Sequence, residues 1–297
     1  MKNVKRIVRV GSRDSKLAVA QTKLAIREIE KLHPELQFEI VTMKTTGDLI
    51  LDQSLDKIGG KGLFVKELDQ ALLDEKIDFS IHSLKDLPME TPEELPLIGF
   101  SKRGDPRDVM IVKQGMTSDF ETGCIGTSSR RRMEQLKKLY PHATFRGIRG
   151  NVQTRLRKLE EEDYVATILA YAGLSRLGME ECIARVFSIE EVVPAAGQGI
   201  LVFQGREGED YSYLKPALKR ESEYVARAER SFVGALDGGC SAPTAAYACI
   251  KGNQLKLRGL YFHEEAGEYS VGEKYGEVTD AEKIGNELAV ELKRLWE

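Results

Sequence analysis

Arg6-Ile7-Val8-Arg9-Val10-Gly11-Ser12-Arg13-Asp14-Ser15, continuing into Lys16-Leu17-Ala18-Val19-Ala20, decides how the chain is read. Arg6 to Val10 is a short β-branched run with strand character. A polar, glycine-led stretch follows. From about Ser15 a helix is expected, with Ala18, Ala25, Ile29 and Leu32 on one face and Pro34 marking its end. Phe38 to Met43 then alternates like a strand. Gly62 to Lys76 carries Phe64, Leu68 and Ala71 at helical spacing, and Asp78 to His82 is again strand-like. Strands alternating with helices make βαβ units, so the expected fold is α/β with a mainly parallel sheet.

Working outward, residues 108–190 repeat this grammar. Val109 to Val112, Gly123 to Gly126, Ala143 to Arg146 and Tyr164 to Leu169 read as strands. A helix starts near Ser128 or Ser129, and Asn151 can cap the next, with Val152, Leu156 and Leu159 inward. Two segments look like crossings between these lobes: Gly99 to Asp108, with Gly104 and Pro106, and Val193 to Gly199. The run Ile200 to Phe203 could rejoin the first lobe's sheet. Two crossings between two lobes make a hinge. A polar linker, Gly205 to Lys215, leads to a helix near Glu221 to Leu236, strands at Thr244 to Ile250, Gln254 to Phe262 and Tyr269 to Tyr275, and a last helix from about Asp280 to Trp296. That part reads as α+β with a small antiparallel sheet. The expected domains are 1–99 with 200–216, 105–193, and 220–297.

Bulk properties narrow the function classes. The 297 residues are 41% hydrophobic and 31% charged, as in soluble globular proteins. No apolar run approaches the ~18 residues of a membrane span, and the N-terminal residues lack an apolar signal region, so a cytoplasmic protein is expected. Four cysteines (124, 182, 240, 249) form no C-x-x-C pair and four histidines are scattered, which argues against a zinc site. Net charge is −3, yet residues 127–158 carry ten basic residues and one acid, +9 in all, leaving −12 elsewhere. One basic block in an acidic chain suggests a local anionic ligand more than a surface that coats nucleic acid.

In open α/β sheets ligands bind beyond the carboxyl ends of the strands. Five such loops carry Ser, Thr, Lys or Arg: Gly11 to Ser15, Ser83 to Asp86, Thr127 to Arg132, Arg146 to Asn151 and Ala170 to Arg176. The arginine fork suits carboxylate or phosphate, and six or more such groups imply a ligand with many anionic arms. Arg131, Arg132, Arg149 and Arg155, at strand ends, are read as ligand contacts; Arg157 and Lys158, beside Glu160 to Asp163, as ordinary surface ion pairs. Gly59-Gly60-Lys61-Gly62 lacks phosphate-loop spacing and reads as a flexible loop with Lys61 a candidate anion contact. Lys85-Asp86 is either a surface turn before Pro88 or a catalytic carboxylate kept ionised by surrounding cations. Gly238-Gly239-Cys240-Ser241-Ala242-Pro243 places a thiol on a glycine turn, where it is either packing or an exposed nucleophile.

Taken together, these stretches resemble the porphobilinogen deaminase family. The matching runs are Gly11 to Ala18, Gly59 to Leu68, His82 to Pro88, Asp105-Pro106-Arg107-Asp108, Gly126 to Arg132, Arg149 to Leu156, Ala172 to Gly178, Pro194 to Gly199 and Gly238-Gly239-Cys240. The resemblance implies two α/β lobes like those of periplasmic binding proteins, joined by a hinge, plus a small α+β C-terminal domain with an antiparallel sheet. It implies a covalent dipyrromethane cofactor joined by thioether to Cys240. Porphobilinogen would lose ammonia, the resulting cation would be attacked by the cofactor's terminal pyrrole, and after four cycles hydrolysis would release hydroxymethylbilane. By the motif match Asp86 would bind pyrrole N–H groups and stabilise the cation. Arg13, Ser83, Lys85, Thr127, Ser129, Arg131, Arg132, Arg149, Arg155 and Arg176 would bind acetate and propionate groups. Ser15, Gln21, Lys61, Phe64, Gly173 and Gln198 would make further contacts. The implied partner is the small molecule alone, with no metal, nucleic acid or membrane, and the protein is expected to be a monomer.

The chain departs from the family at Arg130, where an aliphatic residue is common, at Lys16, a frequent proline, and at Phe203-Gln204-Gly205-Arg206. Two competing readings are a non-enzymatic binding protein for a polyanion and a nucleic-acid module built on residues 127–158. The Asp86 and Cys240 contexts speak against the first. The scarcity of aromatics beside the basic block speaks against the second.

Overall fold

The computed structural model describes residues 6–49, 62, 64–116, 122–236 and 243–297. Lys61 and Cys240 lie outside these residues, so nothing structural attaches to either expectation. The described chain falls into two compact units, one from residues up to 103 with 200–223, the other from 104–199 with 224–297.

In the first unit, β1 (Arg6–Arg13) leads into α1 (Lys16–Glu30), β2 (Leu36–Met43), the short α2 (Thr46–Leu49), α3 (Lys66–Leu73), β3 (Phe79–Ser83) and β4 (Leu97–Phe100). Ser15 caps α1, its hydroxyl accepting from the Ala18 amide, which is the boundary the sequence predicts. α3 is shorter than the predicted Gly62 to Lys76: Val65 gives it no side-chain cap, and Glu75 at φ 53° ends it.

β1 pairs in parallel with β2 and β3, as expected. The sheet is mixed, however, because a strand from far along the chain, β10 (Leu201–Gly205), inserts antiparallel between β3 and β4. The run predicted to rejoin this sheet does so, running opposite to β3.

The pleat sorts β3 by face. Phe79 and Ile81 join the core with Val8, Ile29 and Phe203, while Ser80 and His82 are buried on the other side. Gly11 is required for packing rather than ligand approach, since a Cβ there would lie 2.3 Å from Ile77 Cδ1. The stretch read as a polar linker also belongs to this core. Tyr213, Leu214 and Ala217 are buried in it, and the Tyr211 hydroxyl accepts from the Arg206 amide and donates to the Asp78 carbonyl. Its apolar residues outweigh its polar ones once they share a face.

The second unit holds β5 (Asp108–Val112), β6 (Cys124–Gly126), α4 (Arg130–Leu139), β7 (Thr144–Arg146), α5 (Val152–Glu161), β8 (Ala166–Ala170), α6 (Tyr171–Leu177) and β9 (Arg185–Val186). β7, β6 and β8 are parallel, while β5 runs antiparallel between β8 and β9. The strand that follows each crossing thus runs against its neighbours, which is why neither sheet is mainly parallel. Ser129 and Asn151 cap α4 and α5. α7 (Arg220–Ala235), β11 (Ala245–Lys251), β12 (Gln254–His263), β13 (Glu268–Glu277) and α8 (Ala281–Arg294) follow. β11, β12 and β13 form the predicted antiparallel sheet. α7 and α8 approach closely at Gly285, whose added Cβ would sit 2.5 Å from the Ala228 carbonyl oxygen.

Residues 193–199 are gripped within this unit. Val193 donates to Gln135 Oε1 and accepts from Arg131. Gly197 donates to Glu229, a fully buried carboxylate that also accepts from the Ala248 amide. Gly197 and Gly199 have φ of 74° and 90°, backbone that favours glycine.

Candidate functional site

At the carboxyl end of β3 the chain makes one 3-10 turn, Leu84–Asp86. Leu84 and Leu87 are buried on either side of it, and the Leu84 amide is tied to the Ile200 carbonyl at 3.0 Å. With both leucines committed inward, Lys85 and Asp86 are held half-exposed between them. Asp86 lines a pocket with Arg13, Gln21, Phe64, His82 and Ser83. Four of the predicted residues, Asp86, Arg13, Gln21 and Ser83, therefore meet in the first unit, together with the second-rank Phe64.

Their mutual geometry is specific. The Arg13 guanidinium lies over the Phe64 ring, 4.3 Å from its centroid, an arrangement that keeps a cation at an apolar wall. Ser83 Oγ donates to Gln21 Oε1 at 3.2 Å. Ser15 is placed differently, as the α1 cap. His82, unassigned in the sequence reading, forms part of the pocket wall, with Nε2 2.8 Å from Ser80 Oγ. Burial, and then the charge of Arg13, push its pKa down to about 4, so the imidazole is neutral near pH 7.

The second unit collects the arginines. Thr127 is buried and accepts from the Ser129 amide, and Ser129 caps α4. Arg131 and Arg132 are both buried against Asp108: Arg131 Nη1 is 2.8 Å from Oδ2 and Arg132 Nη2 is 2.7 Å from Oδ1. Arg131 also donates to the Val193 carbonyl and Arg132 to the Ile168 carbonyl. Gln198 donates to the Pro106 carbonyl and to Asp108 Oδ1. Arg155 Nε donates to the Gly150 carbonyl at 2.7 Å, and Arg149 Nη1 is buried without a hydrogen-bond partner. Arg176 donates to the Gly199 carbonyl, and burial lowers its pKa to about 10. Gly173 lies in α6, half-buried.

Several other expectations are settled by contacts. Arg157 pairs with Glu161 on one exposed helix face, the surface role expected of it. Arg130, the departure from the family, pairs with both oxygens of Glu264, at 2.8 and 2.7 Å, tying α4 to the turn after β12. Asp108 and His82 are the residues that sequence reasoning passed over. Each left a signal, an acid opening an otherwise apolar strand and a histidine inside a buried one. No group of three or more potential metal ligands occurs among the described residues.

Residues 8–213 match the family described as "Porphobilinogen deaminase, dipyromethane cofactor binding domain", and residues 224–294 match "Porphobilinogen deaminase, C-terminal domain". The porphobilinogen deaminase of Acetivibrio thermocellus is 52% identical over 96% of this chain and 97% of its own. That of Alkaliphilus oremlandii is 50% identical over 96% and 95%, and that of Ruminiclostridium cellulolyticum 47% identical over 96% and 97%. Among solved structures, the methionine binding protein MetQ is 13% identical, with a TM-score of 0.45, over 75% of this chain and 94% of that one.

Proposed function

We infer the roles of individual residues from the premise that this chain belongs to the porphobilinogen deaminase family. It is a transferase, a hydroxymethylbilane synthase, that condenses four porphobilinogen molecules head to tail with loss of ammonia and releases a linear tetrapyrrole by hydrolysis. Its cofactor is dipyrromethane, which when bound supplies the nucleophilic pyrrole carbon on which the chain starts.

Asp86 is the catalytic group in our reading. A carboxylate at 4 Å from a developing cation contributes ~4 kcal/mol at an effective dielectric of 20, and the rigid turn between Leu84 and Leu87 holds it in place. Arg13, Ser83 and Lys85 in the first unit, and Thr127, Ser129, Arg131, Arg132, Arg149, Arg155 and Arg176 in the second, take the acetate and propionate groups of cofactor and substrate. Ser15, Gln21, Lys61, Gly173 and Gln198 add contacts, and Cys240 carries the thioether.

One observation carries the polyanion reading: buried positive charge exceeds its counterions. Arg131 and Arg132 share a single carboxylate, and Arg176, although desolvated, has none paired with it among the described residues. Buried guanidiniums are stable when an anion meets them, and the residues therefore fit a cofactor with several carboxylates.

The working parts are 1–99 with 200–216, 105–193 and 220–297. No helix among the described residues is long and apolar enough to cross a membrane. We infer a cytoplasmic monomer that binds no nucleic acid, since the basic block spends much of its charge on internal partners. Incubation with porphobilinogen tests the function: one ammonia released per porphobilinogen consumed, with accumulation of a linear tetrapyrrole, is expected. Binding without ammonia release would make the protein a carrier instead.

A further inference from the structure

We propose that Asp108 is a positioning residue, which aims Arg131 and Arg132 at a common point and leaves one positive charge between them as the seat for a single pyrrole carboxylate. The inference rests on the reading of Arg131 and Arg132 as carboxylate-binding residues.

Asp108 opens β5 and is fully buried, and the two arginines are 5% and 6% exposed. Neighbouring positions on a helix diverge by about 100°, so consecutive side chains do not naturally converge. Here they do so because the two oxygens of one carboxylate are divided between them, Oδ2 to Arg131 and Oδ1 to Arg132. Each guanidinium is fixed a second time by a main-chain carbonyl, Val193 for Arg131 and Ile168 for Arg132. Gln198 fixes the carboxylate itself from the 193–199 segment. Three separate stretches of chain thereby set the direction of two side chains.

The charge count gives this arrangement its meaning. A cluster serving only to hold the fold together would balance its charges, because an uncompensated ion in the interior is costly. Two cations and one anion leave +1, and no second carboxylate is paired with either arginine among the described residues. Burial alone would raise the Asp108 pKa, but the two guanidiniums overcome that and hold it well below the usual carboxylate range, so the acid stays charged. Each guanidinium has five N–H donors in a fixed fork, more than the protein contacts here occupy. The remaining donors and the remaining charge suit one acetate or propionate group.

The test is the rate at which apo-protein gains the dipyrromethane mass on incubation with porphobilinogen. It is followed by intact mass well below the unfolding temperature, with circular dichroism confirming the fold. Four variants are compared with wild type: Asp108→Asn, Asp108→Glu, Arg131→Lys and Arg132→Lys. Asp108→Asn should load at least tenfold more slowly. If that variant does not fold, Asp108→Glu carries the test, since it keeps the charge but moves the carboxylate by one methylene. Slow loading of folded Asp108→Glu supports positioning, because charge balance alone would be preserved. Wild-type loading of every folded Asp108 variant, with the two lysine variants impaired, overturns the role of Asp108 alone. Normal loading by the lysine variants as well overturns the carboxylate reading on which it stands.

Discussion

The histidine beneath the pocket makes a quantitative prediction. His82 is 6% exposed, faces Ser80, and has its pKa lowered to about 4 by burial and by Arg13, with Gln204 opposing. In the unfolded chain its pKa is about 6.5. Between these values the unfolded state binds a proton that the folded state refuses, so stability falls as pH falls from 6.5 to 4 and is unaffected by this group above 6.5. A gap of roughly 2.5 units at about 1.4 kcal/mol each amounts to about 3 kcal/mol.

The perturbation is His82→Gln, which keeps a polar side chain and removes the titration. Urea unfolding of both proteins is measured from pH 7.5 to 4. Other titrating groups, including Asp69, whose burial raises its pKa to about 6 and whose effect runs the opposite way, are common to both and cancel in the difference. Whatever gap separates the two proteins at pH 7.5, wild type should lose about 3 kcal/mol more than the variant on the way to pH 4. Parallel curves would refute the claim that a buried, neutral imidazole forms part of this pocket.

Asp86→Asn should fold normally yet lower the rate of tetrapyrrole formation by about a thousandfold, since losing ~4 kcal/mol of cation stabilisation corresponds to that factor; turnover assays beside circular dichroism check it. Arg149→Ala or Arg155→Ala should stall elongation or prevent cofactor assembly, visible by mass as truncated pyrrole chains or bare polypeptide. Gly285→Ala should destabilise the protein by about 1–3 kcal/mol, because its Cβ would press on backbone atoms of Ala228 and Phe232 at 2.5 and 2.8 Å; a lowered urea midpoint is the readout.

What could be read from sequence was what is local. Ser15, Ser129 and Asn151 announce helix starts because a cap satisfies amides two or three residues away, and strand and helix periods need only their own residues. The antiparallel entry of β5 and β10 was not legible, since it depends on which neighbours a strand finds after a long excursion. Nor was the burial of Tyr213, which needs the α1 face as its partner.

The arginine cluster shows both sides. Its location at strand ends followed from topology, but Arg131 and Arg132 find their counterion 23 and 24 residues back along the chain, so sequence density overstated the charge left for a ligand. An acid at the head of Asp108-Val109-Met110-Ile111-Val112 was the available clue, because a carboxylate entering an apolar strand needs a cation waiting. Arg130 was illegible for the same reason, with Glu264 lying 134 residues away.

The most direct test of the whole account is the intact mass of freshly purified protein, kept reduced and dark, beside its Cys240→Ser variant. The account predicts wild type heavier than its polypeptide by two linked pyrroles and the variant at bare polypeptide mass. Wild type that stays bare even after incubation with porphobilinogen, or a variant that carries the same adduct, would contradict it.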